Sequence, residues 1–179
     1  MSVPIKDSLR NPATRSELNP ARNWQINPAR NWQINPARNW QINPARNWHI
    51  NPARNWQINP ARNWQINPAR NWQINPARNR QINPARNWQI NPFKSSGITG
   101  KYLINCSNGT CDYYTVRCSV VDVMIMYDDN NSFVYFCVGH NNHYSVFDIN
   151  YNYCGFMTAN SNGNYNWFSN DGAWIYYTV

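Results

Sequence analysis

Little of this 179-residue chain is charged: 13% of its residues are Asp, Glu, Lys or Arg, about half the share of an ordinary soluble domain. Glycine, cysteine and tyrosine are absent from residues 1–96, and proline is absent from residues 97–179. No apolar run reaches the 18 or more residues that a membrane helix needs, which excludes a transmembrane helix. No apolar stretch follows Met1-Ser2-Val3-Pro4-Ile5-Lys6, so an exported protein is not expected, and a cytoplasmic location is. No Gly-x-Ser-x-Gly, His-Glu-x-x-His, Rossmann or P-loop pattern occurs, which argues against an enzyme and against a bound cofactor.

What is present falls into two materials. The 12 prolines, Pro4 to Pro92, are all spaced by eight, and all 7 glycines, 5 cysteines and 11 tyrosines follow the last of them. Charge divides at the same place. Residues 1–96 carry a net +12, residues 97–179 a net −4, and the whole chain +8. The expected organisation is an octapeptide array over 1–96 and a small β domain over 97–179.

The unit of the array is Asn-Pro-Ala-Arg-Asn-Trp-Gln-Ile, repeated from Asn19 to Ile90 with two substitutions, His49 for Gln and Arg80 for Trp. Degenerate units precede and follow it, as at the ends of repeat arrays. Proline every eighth residue rules out a continuous α-helix. Asn-Pro-Ala-Arg reads as a turn, or as one helical turn with Asn as cap and Pro in first position. If Asn-Trp-Gln-Ile is extended, Trp and Ile share a face. Two readings follow. In one, octads stack into a solenoid with two per coil, Trp24, Ile26 and their successors as core, Asn capping turns and Arg outermost. Otherwise the segment is an irregular, flexible spacer.

The Arg/Trp pairing is the one feature with an interaction mechanism. Arg neutralises phosphates, and Trp stacks on bases or sits at a membrane interface. Arg22, Arg30, Arg38, Arg46, Arg54, Arg62 and Arg70, with Trp24, Trp32 and Trp40, are the candidate contacts to nucleic acid or another polyanion. The plainer expectation is that Trp fills the array and Arg keeps it soluble.

Residues 97–179 carry 18 aromatics and repeat with a period of about 21. Asn108-Gly109-Thr110-Cys111-Asp112-Tyr113-Tyr114-Thr115-Val116 matches Asp171-Gly172-Ala173-Trp174-Ile175-Tyr176-Tyr177-Thr178-Val179, with two further units between. Each reads as strand, polar turn and strand, and Asn-Gly and Asp-Gly are strong hairpin signals. The last aromatics of the units are Tyr114, Phe136, Phe156 and Tyr177. Closing four hairpins about an axis removes exposed edges and buries one such aromatic per unit centrally, so these four are expected to line a funnel.

These units, and the closing run Trp167-Phe168…Asp171-Gly172…Trp174-Ile175-Tyr176-Tyr177-Thr178-Val179, resemble proteins with a four-fold beta flower domain. Ile26-Asn27-Pro28 and its repeats resemble the octad arrays found upstream in that family. The resemblance implies an all-β funnel of four pseudo-symmetric hairpins and no particular activity. The small residue expected before each last aromatic is glycine only at Gly155; Tyr113, Tyr135 and Tyr176 take its place elsewhere.

The remaining constellations read as structure. Cys137-x-x-His140-x-x-His143 with Cys154 lacks a standard zinc spacing, and no metal is expected. Cys106 and Cys111 flank the first turn, where a cross-hairpin disulfide is conceivable but free thiols are the default. Asp128, Asp129 and Asp148 sit where turns begin. The expected function is therefore non-enzymatic: an array that scaffolds or spaces a β domain binding a protein or small molecule, with nucleic-acid or polyanion binding by the array as the alternative.

Overall fold

Asparagine recurs every fourth residue of the array, and each one starts a turn. In the computed structural model, which describes residues 1–161 and 163–179, both halves of the octad fold alike. Asn35 is extended, and its Oδ1 accepts a hydrogen bond from the Ala37 N–H at 2.9 Å. Asn39 does the same for the Gln41 N–H at 3.1 Å and caps the 3-10 turn Trp40–Ile42. Proline sits just inside the first cap, where its missing N–H costs nothing. The Asn side-chain N–H groups point the other way. Asn35 Nδ2 donates to the Pro28 carbonyl at 2.9 Å, and Asn39 Nδ2 to the Gln33 carbonyl at 2.7 Å. Each octad is thus tied to the one before it. The array is an ordered superhelix of turns, not an irregular chain.

The 3-10 turn also decides which side chains face inward. Residues two apart in a 3-10 turn diverge, whereas they share a face in a strand. Trp24 and Ile26 therefore separate. Ile26 and Pro28 flank the extended Asn27 and fall on one side, and both are buried. This corrects the expectation of a Trp and Ile core. Isoleucine and proline form the inner stripe, and each fully buried Ile contributes about 1.5–3 kcal/mol.

The C-terminal segment forms eight antiparallel strands: β1 Tyr102–Asn105, β2 Cys111–Arg117, β3 Val123–Tyr127, β4 Phe133–His140, β5 His143–Asp148, β6 Tyr153–Ser161, β7 Asn164–Phe168 and β8 Trp174–Thr178. They pair in chain order, and β1 pairs with β8 to close a barrel. The hairpins β1–β2, β3–β4, β5–β6 and β7–β8 each carry a register shift, after Leu103, Met126, Val146 and Trp167. Their turns each hold one residue of positive φ: Gly109, Asn131, Tyr151 and Gly172. His140 and His143 end β4 and β5 and pair directly across Asn141-Asn142. Both of those asparagines have positive φ, as a tight two-residue hairpin demands.

Both faces of the barrel wall are buried. Leu103, Met124, Met126, Cys137, Tyr144, Val146, Met157 and Trp167 form one cluster, which fills the interior. The alternate residues, including Tyr102, Ile104, Tyr114, Ile125, Tyr127, Phe136 and Phe147, form a second cluster with Ile58, Ile66, Ile74, Ile82, Ile90 and Ile98. The array therefore packs on the barrel's outer face and shares its core there.

The array also travels around the barrel, against the order of the strands. Asn19 to Asn27 lie beside Cys106, Trp174 and Tyr177 of the β1–β8 region. The Ile26 carbonyl accepts from Asn166 Nδ2 of β7 at 3.1 Å. The turns Trp24–Ile26 and Trp32–Ile34 meet β6, and Trp56–Ile58 meets β4. The Ile82 carbonyl accepts from the Tyr127 hydroxyl of β3. The two ends then meet, with Lys6 Nζ donating to the Phe93 carbonyl at 2.6 Å. The result is a belt closed around a barrel, with no helix among the described residues long and apolar enough to cross a membrane.

Candidate binding surfaces

Tyr114, Phe136, Phe156 and Tyr177 do not line a funnel. They lie on the outer wall, at most 7% exposed. Three of them stack on cross-strand partners: Tyr114 on Tyr127, Phe136 on Phe147 and Phe156 on Phe168, with centroids 5.4–5.5 Å apart. Strand alternation turns the residue before each of Tyr114, Phe136 and Tyr177 inward instead. Tyr113, Tyr135, Trp167 and Tyr176 close a ring of aromatics in which successive centroids lie 5.6, 5.4, 5.1 and 5.4 Å apart. Gly155 holds the place that corresponds to Tyr113, Tyr135 and Tyr176, and the Trp167 indole completes the ring. Gly155 has φ 121°, and a Cβ there would stand 2.1 Å from the Phe168 carbonyl oxygen. Side chains plug this end of the barrel.

The same end is acidic. Asp112, Asp128, Asp129, Asp148 and Asp171 all lie in or beside the four hairpin turns. Asp128 Oδ1 accepts from the Asn130 and Ser132 N–H groups, and Asp148 Oδ1 from those of Asn150 and Asn152; Asp112 accepts from the Thr110 and Tyr176 hydroxyls, Asp171 from the Ser169 hydroxyl, and Asp129 pairs with the Met1 amine. Turn backbone thus accounts for Asp128 and Asp148, and neighbouring side chains or the N-terminal amine engage the other three.

The cysteines are free thiols. Cys111 pairs with Ile104 rather than with Cys106. Burial pushes the Cys106, Cys111 and Cys118 thiols up to about 12, which makes them poor nucleophiles. Cys137 is enclosed in the barrel, while His140 and His143 stand at its rim. Burial lowers the His143 pKa to about 4, with a smaller effect of the neighbouring His140.

The outer face of the belt is different in kind. Trp24, Trp32, Trp40, Trp48, Trp56, Trp64, Trp72 and Trp88 are each between 53% and 62% exposed. Single exposed apolar residues are ordinary, but a periodic series of indoles is not. Arg22, Arg30, Arg38, Arg46, Arg54, Arg62 and Arg70 are exposed as well. Among the described residues none of these arginines, nor Arg78, Arg80 or Arg86, has a carboxylate within ion-pair distance; the ion pairs involve Met1, Arg10, Arg15 and Arg117.

Two hollows flank Arg80, one of the belt's departures from consensus, and Ser119 and Val120 complete the first of them. Arg80 stands where other octads have Trp. Arg78 and Arg80 face Trp72 across a cavity of about 310 Å³, and Arg80 and Arg86 face Trp88 across one of about 500 Å³. Three arginines thus lie between two indoles. The substitution Arg80 was the available signal for this groove, and it reads in the sequence only as a lapse in the repeat. No family model, curated protein or solved structure matches the chain.

Proposed function

We propose that this chain is a non-enzymatic binding protein whose belt takes an extended polyanion bearing stackable rings. Single-stranded nucleic acid is the class that offers both. The observation that carries the reading is the exposed surface: arginines without carboxylate partners and half-exposed tryptophans recur along the belt, and between Trp72 and Trp88 they line common hollows. Arginine meets the phosphates, and each base stacked on an indole contributes about 1–3 kcal/mol. The groove from Trp72 to Trp88 is the favoured point of entry. The barrel acts as the former on which the belt is wound, so the array presents a surface and does not act as a spacer.

The barrel itself reads as pseudo-four-fold, in line with the resemblance to beta flower domains. The support is the equivalent register shift and positive-φ residue in each hairpin. Binding of a ligand at the turn end has less behind it, because Tyr113, Tyr135, Trp167 and Tyr176 occupy that mouth themselves.

The test is a titration of the whole protein with homopolymeric single strands, followed by tryptophan fluorescence. Quenching is expected, with affinity that falls steeply as salt rises, about 0.7 in log–log slope for each phosphate neutralised. An unquenched spectrum at low salt overturns the proposal.

A further inference from the structure

The barrel has a second end, and its chemistry is the reverse of the first. Residues 97–179 contain two basic residues, Lys101 and Arg117. They flank the first hairpin, just before β1 and at the end of β2, and both line one cavity of about 270 Å³ at the end opposite the hairpin turns. The belt adds a third cation, Arg10, whose guanidinium also donates to the Gly100 carbonyl at 2.7 Å. Tyr144 and Tyr165, packed edge to face with centroids 5.1 Å apart, and Met124 form the apolar part of the lining. An acidic segment has therefore gathered all its positive charge, and some of its partner's, around one opening.

The charge there is only partly balanced. Asp7 lies 3.5 Å from Arg10, and Asp122 lies 3.8 Å from Arg117 while accepting from the Tyr144 hydroxyl at 2.8 Å. Lys101 has no carboxylate within ion-pair distance among the described residues. Its Nζ donates to Asn164 Oδ1 at 2.8 Å, which leaves two N–H donors. Burial, then Arg10 and Arg117, lower its pKa. A half-buried ammonium between two guanidiniums gains most from an incoming anion.

We propose that this mouth binds a small organic anion, a carboxylate or phosphate monoester on a single aromatic ring. The anionic group meets Lys101, Arg117 and Arg10, and the ring meets Tyr144, Tyr165 and Met124. The volume is at the low end for ligand sites, which sets the limit at about one ring. This site is separate from the outer face of the belt.

Calorimetric titration of the full chain with phenyl phosphate, benzoate and the neutral benzyl alcohol tests it. Phenyl phosphate or benzoate is expected to bind, and benzyl alcohol to give no heat. Lys101→Met is expected to weaken anion binding by about tenfold or more, the equivalent of about 1.4 kcal/mol. Arg15→Gln, whose side chain pairs with Glu17 and lies outside the cavity lining, is expected to leave it unchanged. Arg117→Gln changes an exposed side chain, so its weaker binding separates a lost contact from a lost fold. The proposal is overturned if neither anion binds at low salt, or if Lys101→Met and Arg117→Gln both keep the native affinity. Quenching by single strands is expected to survive Lys101→Met, so failure here and failure of the belt reading are distinguishable.

Discussion

The belt and the barrel solve the same problem by different means. Backbone donors and acceptors in the barrel satisfy one another across strands, so its side chains are free to be apolar on both faces. The belt has no such ladder. Its carbonyls at Pro28 and Gln33 are met by asparagine amides from the next octad, so side chains do there what main chain does in the sheet. Asparagine suits this because it holds a donor and an acceptor on one short, rigid group. The difference teaches why one region reads as a monotonous polar repeat and the other as a dense aromatic one, although they share a core.

Four experiments sharpen that comparison, in falling order of expected effect. The shared core is attacked first. Ile74 is fully buried among barrel residues, and Ile74→Ala should cost about 2–5 kcal/mol in chemical denaturation. A single cooperative transition is expected, because belt and wall unfold together; a separate early transition of the belt would break the account. Gly155→Ala is next. It places a Cβ against the Phe168 carbonyl in a backbone region that L residues rarely adopt, for a loss of about 3 kcal/mol.

Acid is the third probe. His143 has its pKa lowered to about 4 by burial, so the unfolded chain binds its proton first. Stability is therefore unaffected above about pH 6.5 and falls as pH drops from there to about 4, by up to about 3 kcal/mol. His143→Asn should flatten that part of a pH–stability profile. The smallest effect on stability is expected on the belt's outer face. Trp72→Ala and Arg80→Trp should shift the unfolding midpoint by no more than about 0.5 kcal/mol, while weakening single-strand binding. A large loss of stability from either would mean that the outer face is structural.

The sequence shows both repeat systems, the hairpins, their turns and the asparagine caps, because these depend on local chemistry. It hides which way the aromatics face. Hydrophobic alternation identifies an inner face only when the other face is wet, and here the belt covers it. Tyr113-Tyr114 and Tyr176-Tyr177 are identical pairs that point to opposite sides, so nothing local separates them. The outward turn of Trp24 and its successors was equally concealed, since Trp-Gln-Ile fits both a strand and a 3-10 turn. The mouth formed by Arg10, Lys101 and Arg117 brings Arg10 to residues distant from it in sequence, and no local spacing announces it.

One contact has a consequence for how such a chain changes over generations. Nearly identical octads are prone to unequal exchange, which adds or removes whole units. Lys6 reaches the Phe93 carbonyl only because the belt's length matches the girth of eight strands. One octad more overshoots that clasp, and one fewer leaves it open. The barrel is therefore a gauge: it fixes the number of units while leaving the outward residues of each unit free to vary.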